Sequence, residues 1–263
     1  MHVMKMDDYK RFATEGYRVY VPNISIACTL LGFHDNKLKV LLLRWKGLDK
    51  WSLPGGFMKQ DEDADEGAAR ILKERTGLDV YLQQYHTYTS LNRFTIDEPS
   101  QKKFKDTFGM EVLKGHWYDK RVIGIGYYGL AEYAKVTRIE LDMITIDSRW
   151  WPVDDIPENM LFNHHEMIGG AMKALQRDVA HEPVCLKLLP SKFTMAELQC
   201  LYESILGYSL DRGNFRKKMM NAGILKDMGE STTRKAHKTP HLYSFDVRAY
   251  KKALQSGIIF KLQ

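Results

Sequence analysis

The chain has 263 residues, 44 % hydrophobic and 27 % charged, close to globular averages, and long enough for one large domain or two ordinary ones. No run of about 18 apolar residues occurs, so no transmembrane helix and no membrane partner is expected. Met1–Tyr20 is polar and mixed in charge, unlike a signal peptide. Cys28, Cys185 and Cys200 lack metal-ligand spacing and fit thiols in a reducing cytoplasm, the expected location. The net charge of +6 is uneven: residues 187–263 hold 14 Lys+Arg against 6 Asp+Glu, and residues 1–186 hold 25 against 27. Such asymmetry suggests a nearly neutral domain joined to one that meets a polyanion, the alternative being a basic solvated surface.

In chain order, Ile24–Gly32 and Leu38–Arg44 are apolar and rich in β-formers, with His34–Lys37 between them as a hairpin turn. Trp51–Gly56 is turn-rich, Glu66–Thr76 has helical composition stopped by Gly77, and Val80–Tyr88 is a strand. Asn92–Asp119 is polar and without clear periodicity, so a long loop or insertion is expected. Arg121–Tyr133 is a strand, and another follows over Thr137–Ile146, ending at Trp150-Trp151-Pro152. Asn163–Arg177 has helical spacing, with Met167, Ala171, Ala174 and Leu175 on one side. Ala180–Ser191 carries two prolines and is expected to link residues 1–180 to a second domain, 187–263.

That second domain opens on a full helix-start signature: Thr194 as cap, Glu197 reaching back, Phe193 stapled onto Leu198. Leu198, Leu201, Tyr202 and Ile205 form its buried face, and Gly207 ends it. A second helix runs Leu210–Ala222, capped by Asp211. Phe215, Met219 and Ala222 fall on one face, with Asn214, Lys217, Lys218 and Asn221 opposite or flanking. Amide and cationic side chains on an exposed helix suit the reading of base edges and phosphates. Ile224-Leu225 and Leu242–Phe245 pair as strands around a basic stretch with Arg234, Lys235, His237 and Lys238. Helix, turn, basic helix and basic hairpin make a winged helix-turn-helix, a small helical oligomerisation module being the alternative. Asn214, Arg216, Lys217, Lys218, Asn221 and the four hairpin residues are the candidate contacts to a double-stranded DNA operator.

Gly56, Glu62, then Arg70-Ile71-Leu72-Lys73-Glu74-Arg75-Thr76-Gly77-Leu78 resembles the Nudix box. Trp51–Phe57 and Trp151–Pro157 resemble the family's flanking segments. The resemblance implies a Nudix α/β/α sandwich with a mixed sheet, hence an α+β chain with a C-terminal winged helix. Nudix hydrolases cleave diphosphates with a divalent metal, held by several oxygen ligands, three of them glutamates at i, i+3 and i+4 of one helix. Here those positions are Ile71, Glu74 and Arg75, a hydrocarbon and a fixed cation replacing two carboxylates. No catalytic residue, bound metal or cofactor is therefore expected, and Mg-dependent hydrolysis of ADP-ribose or a related compound is the lesser alternative. Arg70 and Glu74, four apart, also fit a plain ion pair.

Leu188–Thr194, Leu198-Gln199, Leu201–Glu203 and Asp211 with Asn214–Lys218 are similar to the C-terminal half of Nudix-related transcriptional regulators. That family implies a homodimer whose Nudix domain senses a small-molecule effector, ADP-ribose-like in one branch and a pentose in another. Loss of the metal carboxylates is common within it. The resemblance puts the cavity between the Nudix helix, Arg44–Phe57 and the Tyr88–Tyr128 strands, with Arg44, Trp51, Glu74, Tyr88 and Tyr128 as candidate effector contacts. Core packing is the competing role for the aromatic ones. Two departures are the length of Asn92–Asp119 and a basic tail, Val247–Gln263, expected to pack on the wing or extend the DNA contact.

Overall fold

The structure, a computed structural model, describes residues 6–136, 139, 141, 144–180, 184–230 and 241–255. The chain divides into two compact units. Met1–Leu31, Val40–Gly129 and Val136–Ala171 form the first; Gly32–Lys39, Leu130–Lys135 and Met172–Gln263 form the second.

The sheet of the first unit runs in the order β3 (Trp51–Ser52), β2 (Lys37–Trp45), β1 (Tyr20–His34), β6 (Ile123–Ala131), β5 (Leu82–Tyr88). In addition, β4 (Gly55–Lys59) pairs with β1, and β7 (Thr145–Pro152) with β2. Strand β1 is buried without interruption from Ser25 to Phe33, as expected where both faces of a strand are covered. The β1–β2 hairpin forms as anticipated, with Asp35 and Asn36 both at positive φ, the backbone a tight two-residue turn requires. Helix α2 (Ala64–Thr76) covers one face: the Tyr127 hydroxyl donates to Asp65 Oδ1 at 2.6 Å. Helix α4 (His164–Asp178) covers the other: the Tyr85 hydroxyl donates to the Met167 carbonyl at 2.7 Å.

Several expectations need correction. Helix α1 (Met6–Glu15) precedes the first strand. The segment Asn92–Asp119 is not a plain loop. It contains α3 (Glu98–Phe108), capped by Asp97 on the Ser100 amide and ended by Gly109 in the left-handed region. Ser100, Phe104 and Phe108 make a narrow buried stripe, one residue per turn, too thin to register as a period among the lysines. Its Phe104 and Phe108 join Leu48, Ile96, Val112 and Leu161 in a local core, with Phe12, Trp45 and Phe162 packed against it. Of the strand expected after Thr137, the described part is β7, which runs from Thr145 to Pro152. Part of the earlier stretch lies outside the described residues.

In the second unit, the expected linker holds a short helix, α5 (Cys185–Leu188), because Val184, Cys185, Leu188 and Leu189 are all buried. Helix α6 (Met195–Leu206) has the capping box of Thr194 and Glu197, the buried face anticipated, and Gly207 at φ 79° as its stop. Helix α7 (Arg212–Asn221) follows, with Asp211 accepting from the Asn214 amide. A three-stranded sheet in the order β8 (Phe193–Thr194), β10 (His241–Phe245), β9 (Leu225–Glu230) completes the layout. Tyr202 meets Phe215 edge-on at 5.6 Å, and Phe193 meets Phe245 at 4.7 Å. The described part of the tail is α8 (Val247–Gln255), which buries Tyr250 and Ala253 and stacks Tyr250 on Phe245 at 5.1 Å. It therefore packs on the wing.

Candidate ligand and nucleic-acid sites

Helix α2 holds the Nudix-box positions. Asp63 and Glu66 form a capping box at its start, and Gly77 at φ 74° ends it, the conformation glycine takes without a Cβ penalty. Arg70 is the hub. It donates from Nε to Glu62 at 2.7 Å and from its two terminal nitrogens to Glu62 at 2.5 Å, Glu74 at 2.8 Å and the Phe57 carbonyl at 3.0 Å. Glu62 also accepts from the Lys59 amide at 2.7 Å. The Arg70 hydrogen bond, against some burial, holds the Glu62 carboxyl below the usual glutamate range. Burial opposes the Arg70 charge, and its two carboxylate partners outweigh that penalty.

The two surviving glutamates are thus committed to one guanidinium. Ile71, 1 % exposed, faces Gly56 on β4, where an added Cβ would stand 3.2 Å from its Cγ1. Arg75 lies 6.0 Å from the Trp45 ring centroid, and burial lowers its pKa to about 10 against the pull of Glu74. This donor set does not fit a divalent cation, which needs several free oxygens. Among the described residues no group of three or more His, Cys, Asp or Glu could hold a metal ion.

The five candidate effector residues fall in three places. Arg44 and Trp51 are register partners on β2 and β3. Arg44 pairs with Asp49 in the intervening turn. Trp51 is buried, meets Trp151 edge-on at 5.4 Å, and has Arg149 5.7 Å from its ring centroid. Tyr88 and Tyr128 are buried on β5 and β6, each beside Tyr85, at 6.2 and 6.4 Å. Glu74 is half exposed on α2, bound to Arg70. Successive strand residues point to opposite faces. Tyr127 reaches α2, so Tyr128 lies on the α4 face, across the sheet from Glu74.

Between the sheet and α4 lies a polar layer that the residue pattern did not announce. Arg93, 4 % exposed, donates to Ser25 Oγ at 3.3 Å, the Val122 carbonyl at 3.4 Å and the Met167 sulfur at 3.7 Å. Its guanidinium packs against Gly124, where a Cβ would overlap it, and the Tyr85 ring packs against Gly126, where a Cβ would likewise overlap it. His164 is buried and accepts from the Leu53 amide at Nδ1, 3.0 Å. Burial, with Arg93 nearby, lowers its pKa to about 3. The available signal was the alternation of glycine in Ile123-Gly124-Ile125-Gly126, which marks a strand approached closely by other groups.

On α7, Phe215 and Met219 are buried, while Asn214, Arg216, Lys217 and Asn221 are exposed and Lys218 is partly so. The Arg216 guanidinium sits 6.0 Å from the Tyr243 ring centroid on β10, which links the helix to the wing sheet. Arg234, Lys235, His237 and Lys238 lie outside the described residues.

A sheet covered by α2 on one face and α4 on the other, with a Nudix-box pattern across Gly56–Leu78, joined to a winged helix, defines the class: a Nudix-fold domain with a helix-turn-helix module. Residues 23–169 match the NUDIX domain family model, and the chain belongs to that family. Residues 185–245 match the model of the NrtR DNA-binding winged helix domain. A curated relative is the ADPR responsive transcriptional repressor NtrR of Acinetobacter baylyi, 26 % identical over 237 residues, 87 % of this chain and 84 % of that protein. The crystal structure of Shewanella oneidensis NrtR is similar with a TM-score of 0.61 at 25 % identity, over 85 % of this chain and 94 % of that one. A MutT/nudix family protein from Enterococcus faecalis shares the fold, with a TM-score of 0.61 at 19 % identity over 92 % and 97 % of the two chains.

Proposed function

We propose that the protein is a DNA-binding transcriptional regulator whose Nudix domain senses a small metabolite and does not hydrolyse it. The observation that carries this reading is the pairing of two features. Ile71 and Arg75 stand where metal carboxylates would be, and α7 presents Asn214, Arg216, Lys217 and Asn221 to solvent. The NrtR-type relatives support it, and the name of the Acinetobacter protein favours an ADP-ribose-like effector over a pentose. Residues 1–180 are the sensing domain and 187–263 the DNA reader. Candidate wing contacts are Arg234, Lys235, His237 and Lys238. Arg44 and Glu74 are the more exposed of the effector candidates; Trp51, Tyr88 and Tyr128 serve mainly as packing. The active form is a homodimer in the cytoplasm.

The test is a mobility-shift titration of the full chain on its own promoter-region DNA at low salt, with and without ADP-ribose or L-arabinose. A retarded band that one effector alters is expected. Absence of any shift refutes the regulator reading. Metal-dependent release of AMP from ADP-ribose by the wild type would refute the loss of hydrolysis.

A further inference from the structure

The polar layer under α4 leaves one buried guanidinium, that of Arg93, incompletely hydrogen-bonded. The three hydrogen bonds of Arg93 are long, to a hydroxyl, a carbonyl and a thioether. Its Nε is buried with no hydrogen-bond partner. Among the described residues no carboxylate forms an ion pair with it. Glu166, whose charge reaches it from α4, is exposed and accepts instead from Asn163 Nδ2 at 3.0 Å. His164 lies nearby. Its Nδ1 accepts from Leu53, so the neutral ring carries its proton on Nε2, which makes it a second donor in this layer.

Buried polar groups are almost always hydrogen-bonded, and a buried charge is normally paired. A guanidinium left with an unused nitrogen and no directly paired carboxylate is a group whose acceptor arrives from outside. Its planar fork suits a phosphate, which takes two parallel N–H donors at once. Gly124 and Gly126 on β6 and Gly170 on α4 lack the Cβ that would strike Arg93, Tyr85 or the Tyr88 hydroxyl, and so make the room in which these polar side chains gather. Arg93 is carried by the connection between β5 and α3, next to exposed Leu91 and Asn92. It can therefore turn toward a ligand without breaking a helix or a strand.

We propose that Arg93 and His164 form an anion site that takes a phosphate group of the effector. This rests on the sensing role of the Nudix domain and narrows the effector to a phosphorylated sugar or nucleotide sugar, excluding a free pentose. The site lies on the α4 face of the sheet, away from the Nudix-box helix.

Calorimetric titration and thermal melting of the full chain would use pyrophosphate, ADP-ribose and L-arabinose as probes, on wild type, Arg93→Gln and Arg93→Lys. Expected results are wild-type binding of both phosphate-bearing probes, at least tenfold weaker binding in Arg93→Gln, and no binding of arabinose. The lysine variant keeps the charge without the fork and should fall between. It carries the test if the glutamine variant does not fold, judged by far-ultraviolet circular dichroism. Wild-type affinity in either folded variant overturns the proposal, as does failure of wild type to bind both phosphate probes. Promoter binding without ligand is measured alongside. A protein that binds DNA and answers to arabinose alone sinks the anion site and leaves the regulator intact. Arg93-dependent pyrophosphate binding without any DNA shift supports the site and sinks the regulator.

Discussion

Replacing Arg70 by Gln isolates the charge hub of the Nudix box. The variant keeps some hydrogen bonding and removes the positive charge from between Glu62 and Glu74. In the wild type the side chains of Arg70 and Glu62 are 18 % and 10 % exposed and joined by two hydrogen bonds of 2.5 and 2.7 Å. Breaking such a buried pair from one side costs roughly 3–5 kcal/mol, because the remaining carboxylate is left without its counter-charge. Residual exposure and the Lys59 amide, which still serves Glu62, put this case at the lower end, about 3 kcal/mol. For a domain of this size that is a drop in Tm of roughly 6–12 °C. All five tryptophans, at 45, 51, 117, 150 and 151, precede residue 152, so their fluorescence follows the first unit without the winged helix. The loss should depend on pH. Arg70 depresses the Glu62 pKa, so this stabilisation is present above the unfolded glutamate value, near 4.3, and vanishes as pH falls through the lower folded value. The gap between variant and wild type is therefore largest at pH 7 and shrinks below about pH 4. A Tm loss under about 2 °C at pH 7, or a gap that persists undiminished into acid, would refute the reasoning.

Three further outcomes follow from the same geometry. The double change Ile71→Glu and Arg75→Glu puts two carboxylates beside Glu74. It should destabilise the domain without metal by several kcal/mol, and Mn²⁺ at 100 times its Kd should return about 2.7 kcal/mol; a melting curve indifferent to Mn²⁺ counts against the inferred positions. Lys217→Ala should weaken binding to every DNA sequence and lower the salt slope by about 1, whereas Asn214→Ala should relax preference at one base by about 1–3 kcal/mol; competition binding at several salt concentrations separates them. Thr194→Ala removes the hydroxyl that accepts from the Glu197 amide at 3.1 Å. About 1 kcal/mol of stability should be lost from the winged helix, read by hydrogen exchange of α6 amides, and unchanged protection there would contradict it.

Much was legible from residue order because the determining interactions are local. The Thr194–Glu197 capping box, the stops at Gly77 and Gly207 and the hairpin around His34–Lys37 all span a few residues, and each formed as read, the hairpin turn narrowing to Asp35 and Asn36. The presence of Ile71 and Arg75 at the spacing where the Nudix pattern has glutamates was equally plain, since it is a matter of residue type at fixed spacing. Helix α3 was not legible: its stripe of Ser100, Phe104 and Phe108 is buried only because Leu48 and Leu161 supply the other side of that core. Helix α5 was hidden by flanking prolines although its apolar residues find a core. The candidate effector set divides between two faces of the sheet for a related reason. Spacing along a strand gives alternation but not which partner covers which face, and only the hydrogen bonds of Tyr127 to α2 and Tyr85 to α4 separate Glu74 from Tyr88 and Tyr128. The altered Nudix-box pattern, the helix caps and the basic second helix of the winged domain are properties of short segments, so the residue order sufficed for them. Arg93 is charged by its chemistry, but its burial without a counter-charge comes from Ser25, Val122, Gly124 and Met167, residues at least 29 positions away that only the folded chain brings together.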